Sequence, residues 1–190
     1  MPRSIVTGAA AGAGWGVVMR AWMRYITESP EFSWSGTLFI VGASTVVGAL
    51  LGLARARRRS GGVGWWRLTA LSLALLGAGG AVMWPAVVTG AVAFGRPRPR
   101  WLRWLTAAAA IVFSGLVLRD VAFDNTRLTT VEAVVASVWY VPMIGIEAWA
   151  FSVVAAPNLA PVPSKVKKAL TVVPVAFMIA AGVMAMGISG

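Results

Sequence analysis

The amino-acid sequence predicts an all-α fold: one integral membrane domain over 1–190, a polytopic helix bundle of about seven membrane segments including one short or re-entrant hairpin. Three observations carry this expectation. Hydrophobic residues make up 58% of the chain and charged residues only 12%, whereas a soluble domain carries about 25% charged residues. Apolar stretches of spanning length cover most of the sequence. The cations are gathered in short tracts beside those stretches, as in proteins that orient in a bilayer by keeping Lys and Arg on the cytoplasmic side.

The first span runs over about 5–26. Its start, "MPRSIVTGAAAGAGWGVVM", is basic and small-residue rich like a signal peptide, but the following "RAWMRY" is no cleavage site. The second span, about 35–54, ends in "RARRRSGG", a cytoplasmic stop. The acidic connection "TESPEF" then lies outside and the N-terminus inside. Residues 65–94 have basic flanks at both ends and number 30, where two full spans need about 40. Gly77, Gly79, Gly80 and Pro85 interrupt this run, and a short hairpin entering and leaving on one side satisfies both flanks. The rival is one long tilted helix, which inverts everything downstream. Further spans are expected over about 101–118, 131–156 and 169–188, leaving the C-terminus external. The basic loops after the second span, before 101 and over 157–168 share an outline. Common descent and the shared needs of cytoplasmic loops both explain it.

The net charge of +11, from 17 Lys+Arg and 6 Asp+Glu, points to anionic lipid headgroups rather than nucleic acid, since no nucleic-acid-binding motif accompanies it. Cysteine and histidine are both absent, which excludes disulfides, thiolate chemistry, Cys/His metal sites and histidine general bases. No Ser–Lys dyad, aspartate pair within spans or phosphate-cradling glycine loop is present. The expectation is a protein that is not an enzyme, with no cofactor and no metal.

Glu147, within "YVPMIGIEAWAF", is the ionisable residue deepest in a span, and at that depth it is a candidate to bind a proton, a cation or a cationic substrate. The bland alternative is a carboxyl that is protonated or paired and only locks helices together. Tyr140, seven residues earlier, shares its helix face. With Gly79, Gly80 and Pro85 of the broken hairpin, these residues form the candidate substrate or ion site. Gly8, Gly12 and Gly16 lie on one face of the first helix, and Gly48 and Gly52 on one face of the second. Such faces allow close helix packing, either within the chain or in a homo-oligomer or larger membrane complex. Arg20, Arg24 and Glu132 are the candidate interfacial charge network, joined by Arg119, Asp120 and Asp124. Arg20 sits deep enough to need a partner, and Glu132 is at a reachable depth. Trp22, Trp34, Trp65, Trp66, Trp101 and Trp104 are expected in the aromatic belts at the membrane surfaces.

The stretch "MRYITESPEFSWSGTLFIVG", with the Gly-rich helix before it, resembles small multi-pass bacterial membrane proteins of uncharacterised function. The likeness covers about the first third of the chain. It implies a bacterial inner membrane and no activity. The leading expectation is a non-enzymatic accessory or interaction protein, either a helix-packing scaffold or a complex subunit. The alternative is a small transporter or channel with its site at the broken hairpin 77–85 and Glu147.

Overall fold

The computed structural model describes residues 2–27, 33–79, 83–95, 99–124 and 128–152. Among these residues every element is helical: α1 (Pro2–Ile26), α2 (Trp34–Arg59), α3 (Trp65–Gly79), α4 (Trp84–Phe94), α5 (Arg100–Leu118) and α6 (Thr130–Phe151). A five-residue π turn, Arg119–Phe123, prolongs α5. Three helices are long and apolar enough to cross a membrane: α2, α5 with its prolongation, and α6. The 25 residues of α1 are long enough, but four glycines and three arginines dilute its apolar character. The expected segment 169–188 and the basic loop before it lie outside the described residues.

Residues 65–94 form two short helices of 15 and 11 residues. The indole N–H of Trp84 donates to the carbonyl of Leu73 at 2.8 Å. In one continuous helix these residues would stand about 16.5 Å apart along the axis, beyond the reach of an indole. The chain therefore reverses between α3 and α4, as the hairpin reading requires. Pro85 falls in the first turn of α4, where its missing N–H leaves no hydrogen bond unmade. It thus starts the return helix and is not part of the bend.

α1 and α2 pack antiparallel through their small residues. A Cβ placed on Gly8 would strike the Gly48 carbonyl oxygen, and one on Gly12 would strike that of Ser44. From the other side, a Cβ on Gly48 would strike Gly8 and one on Gly52 would strike Ser4. Gly16 continues the seam, within 2.9 Å of the Ser44 Cβ by the same construction. Backbones meet this closely only where neither carries a side chain. In lipid such packing contributes attraction that the hydrophobic effect does not supply.

α6 lies antiparallel to α1. The Trp22 indole donates to the Ala136 carbonyl at 3.0 Å, and its ring packs on Tyr140 with centroids 5.3 Å apart. The opposite end of α6 meets α2, where the Arg55 guanidinium sits 5.6 Å from the Trp149 ring centroid. α4 rests on the same end of α6, since a Cβ on Gly90 would come within 2.8 Å of the Ala148 Cβ. Arg103 Nε donates to the Ala93 carbonyl at 3.2 Å and so ties the start of α5 to the end of α4. The end of α2, the end of α4, the start of α5 and the end of α6 therefore share one end of the bundle. Gly61 and Gly64, at φ 71° and 85°, supply the left-handed conformations that turn α2 into α3. α6 starts with a capping box in which Thr129 Oγ1 accepts from the Glu132 N–H and Glu132 accepts from the Thr129 N–H.

Two expected belt tryptophans are interior instead. Trp22 is 2% and Trp65 3% exposed. Trp22 fills the α1–α6 contact, and Trp65 lies under the Arg58 guanidinium, 4.4 Å from ring centroid to cation. Arg58 is itself buried, so one cation of the "RARRR" tract builds the α2–α3 corner rather than meeting solvent or headgroups. A tryptophan near a helix end satisfies the belt pattern whichever way it points, and position alone does not separate the two fates. Trp34, Trp101 and Trp104 are exposed, and α5 turns Leu105, Ile111, Val112 and Leu116 outward, an apolar face suited to lipid.

Candidate functional site

The buried face of α6 follows helical spacing: Ala136, Tyr140, Met143, Ile144, Glu147, Ala148 and Phe151. Glu147 belongs to this face by register, and only 6% of it is exposed. Its Oε2 has no hydrogen-bond partner among the described residues. Pro142 lies within α6 on the exposed side, so the helix carries Glu147 inward without a break.

Glu147 opens on a cavity of about 590 Å³ between the α1–α2 pair and α6. The glycine seam forms part of the wall, with Gly8, Gly12, Gly48 and Gly52. Side chains too small to fill the space leave a groove above the two backbones. Trp15, Met19, Ser44 and Val47 line it from α1 and α2, and Ala150 and Phe151 from α6. The lining on α1 runs from Ser4 to Met23, about 28 Å of helix. Arg55 and Arg59 stand beside the Ser4 end.

Two residues of the cavity wall each carry a fully buried polar atom without a partner, and the two atoms are of opposite kind. Glu147 Oε2 accepts and Trp15 Nε1 donates, and neither finds a partner among the described residues. No ion pair joins Glu147 to Arg55 or Arg59; the exposed Arg119 and Asp124 pair with each other at 3.6 Å, far from this wall. Exposed pairs of that kind contribute about 0–1 kcal/mol.

The other sequence-derived candidates separate. Tyr140 shares the face of Glu147 but packs on Trp22, away from the cavity wall. Its hydroxyl is buried with no hydrogen bond made at good geometry, although Ser114 on α5 lies near it. Gly79 ends α3 and Gly80 lies outside the described residues. Pro85 is not on the wall, but the hairpin's flanks reach it through Leu75, Leu76 and Met83. The deep cation is also resolved differently from expectation. Arg20 Nε donates to Thr37 Oγ1 on α2 at 3.2 Å, and no ion pair joins Arg20 to Glu132, whose carboxylate closes the α6 cap. A hydroxyl one helix away satisfies Arg20 more cheaply than a carboxylate brought down from a helix end. Arg24 is half-buried and engaged.

Sequence reasoning missed Trp15, Ser44, Arg55 and Arg59 as wall residues. Ser44 was findable, because it precedes Gly48 by four residues and extends that small-residue face by one turn.

Among the described residues, fold and site together define an all-helical arrangement with three helices long and apolar enough to cross a membrane, and an apolar cavity with one carboxyl group on its wall. No family model matches the chain, and no curated protein or solved structure is significantly similar to it.

Proposed function

We propose that this is a non-enzymatic integral membrane interaction protein that holds an apolar or amphipathic guest in the groove between α1, α2 and α6. The observation that carries this reading is the pairing of a large apolar cavity with an unpartnered, buried carboxyl on its wall. Binding sites for small molecules are largely apolar, with few convergent polar groups. Proteoliposomes test it directly. A holding protein equilibrates no proton or organic cation across the bilayer, whereas a flux lost in Glu147→Gln would replace this reading with transport.

Transport is the second reading, favoured by one observation. Met83, Leu75 and Leu76 flank the α3–α4 reversal and share the cavity with Glu147, and interrupted helices are frequent sites of substrate binding in transporters.

The setting we propose is a bacterial inner membrane, with seven segments, the N-terminus cytoplasmic, the C-terminus external and the basic loops against anionic headgroups. Reporter fusions ending at Gly61 and Arg98 are expected to report the cytoplasmic side, and one ending at Asn125 the external side. An external signal at Arg98 would contradict this topology. The glycine faces are consumed between α1 and α2, so a homo-oligomer or larger complex would form through another surface.

A further inference from the structure

Resting on the guest-holding reading above, we infer that the guest is a cationic amphiphile: an apolar tail along the groove and a polar end carrying an ammonium beside an oxygen acceptor.

Three features lead to this class. An unpaired carboxylate in an apolar wall is costly, and an opposite charge that also donates hydrogen bonds offsets that cost best. Among the described residues Glu147 is the only acidic one on the wall, and no group of three His, Cys, Asp or Glu that could hold a metal ion occurs among them. A hard metal cation needs several oxygen ligands, whereas one ammonium group is satisfied by a single carboxylate and neighbouring acceptors. Trp15 supplies the complement. Its indole N–H is buried without a partner among the described residues and only donates, so a guest that turns the ring toward the groove satisfies it with an acceptor oxygen. The remaining wall is methyl, methylene and aromatic surface from Met19, Val47, Leu75 and Phe151, which suits a hydrocarbon tail. Arg55 and Arg59 stand at the Ser4 end, and Arg55 is engaged on the Trp149 ring. Their charge disfavours a cation at that end and leaves Glu147 as the place for it.

The matched probes are a long-chain 2-amino-1-alcohol and the 1,2-diol of the same tail length. Binding is measured by calorimetry on the full chain in phosphatidylcholine nanodiscs, corrected for partition into empty discs. The wild type is expected to prefer the amine by about tenfold or more, the scale of a charge-assisted hydrogen bond. Glu147→Gln is expected to bring the ratio close to one with diol binding retained. Trp15→Phe is expected to weaken both probes alike. Equal affinities in the wild type would overturn the inference, because the carboxyl would then act as a neutral acid. That measurement needs no variant, so a misfolded Glu147→Gln leaves the test intact. A ratio unchanged in Glu147→Gln would also overturn it by placing the amine elsewhere. If neither probe binds above partition, the guest-holding reading itself fails. The chain has no cysteine of its own, which permits a check on the rival occupant. High-yield disulfide formation between Val47→Cys and cysteines scanned through 169–188 would assign the groove to the chain's own apolar run and overturn the inference.

Discussion

Gly12→Leu is expected to disrupt the α1–α2 pair, lowering the melting temperature in mild detergent by about 5 °C or more, while Gly14→Leu leaves it unchanged. The two glycines are two residues apart on one helix and face opposite surroundings. A Cβ on Gly12 would overlap the Ser44 carbonyl oxygen and stand 3.1 Å from the Gly48 Cα, whereas one on Gly14 meets nothing within 4 Å. The neighbours of Gly12 are backbone atoms of a 26-residue helix, so they cannot yield by changing a rotamer. The helices must separate along the whole seam, and overpacking of this kind costs about 1–3 kcal/mol or more. For a chain of this size each kcal/mol corresponds to about 2–4 °C. Helix propensity does not explain such a difference, because leucine is the better helix former at both positions. Equal losses at Gly12 and Gly14, read by circular dichroism during heating, would show that the seam does not hold the pair together. Gly42, also open, is a second control on the partner helix.

Much of this fold was legible in the sequence because lipid imposes simple rules. Apolar length marks spans, and clustered cations mark one side. The reversal inside 65–94 followed from two basic flanks that could not both be satisfied by one helix. The glycine faces were equally visible, since four-residue spacing places Gly8 and Gly12, and Gly48 and Gly52, in register. What remained illegible were choices of direction and partner. Trp22 and Trp65 fit the belt pattern by position and turned inward, one to an acceptor on α6 and the other to a cation on α2. Arg58 sits in a tract that reads as a solvated stop signal and is interior. Arg20 was recognised as needing a partner, but a threonine hydroxyl seventeen residues away leaves no charge pattern to follow. For the site, Glu147 stood out by depth alone. The cavity it opens on arises from what the α1–α2 seam lacks, namely side chains, and its far wall comes from α6, more than 90 residues later in the chain.

A retained guest is the second large effect expected. The wild type, extracted from its own membrane in mild detergent, should carry a small amphiphile in native mass spectrometry. Ala11→Trp is the informative variant. Ala11 lines the cavity and is exposed to it, and it is not among the residues of the Gly8–Gly12–Gly16 seam. An indole there occupies the groove without entering the α1–α2 contact, so the melting temperature should hold while the guest is excluded. A tryptophan is among the largest side chains, and at Ala11 its ring would stand in the path of a tail lying along the groove. Loss of stability together with loss of the guest would mean only that α1 had been disturbed, so both quantities are read on one preparation. The most direct measurement of whether this groove holds a guest is therefore the native mass of wild type beside Ala11→Trp. The expected result is a bound amphiphile in the wild type and a bare, equally stable variant. A wild type that is always bare, or a variant that keeps the same guest at the same occupancy, would contradict it.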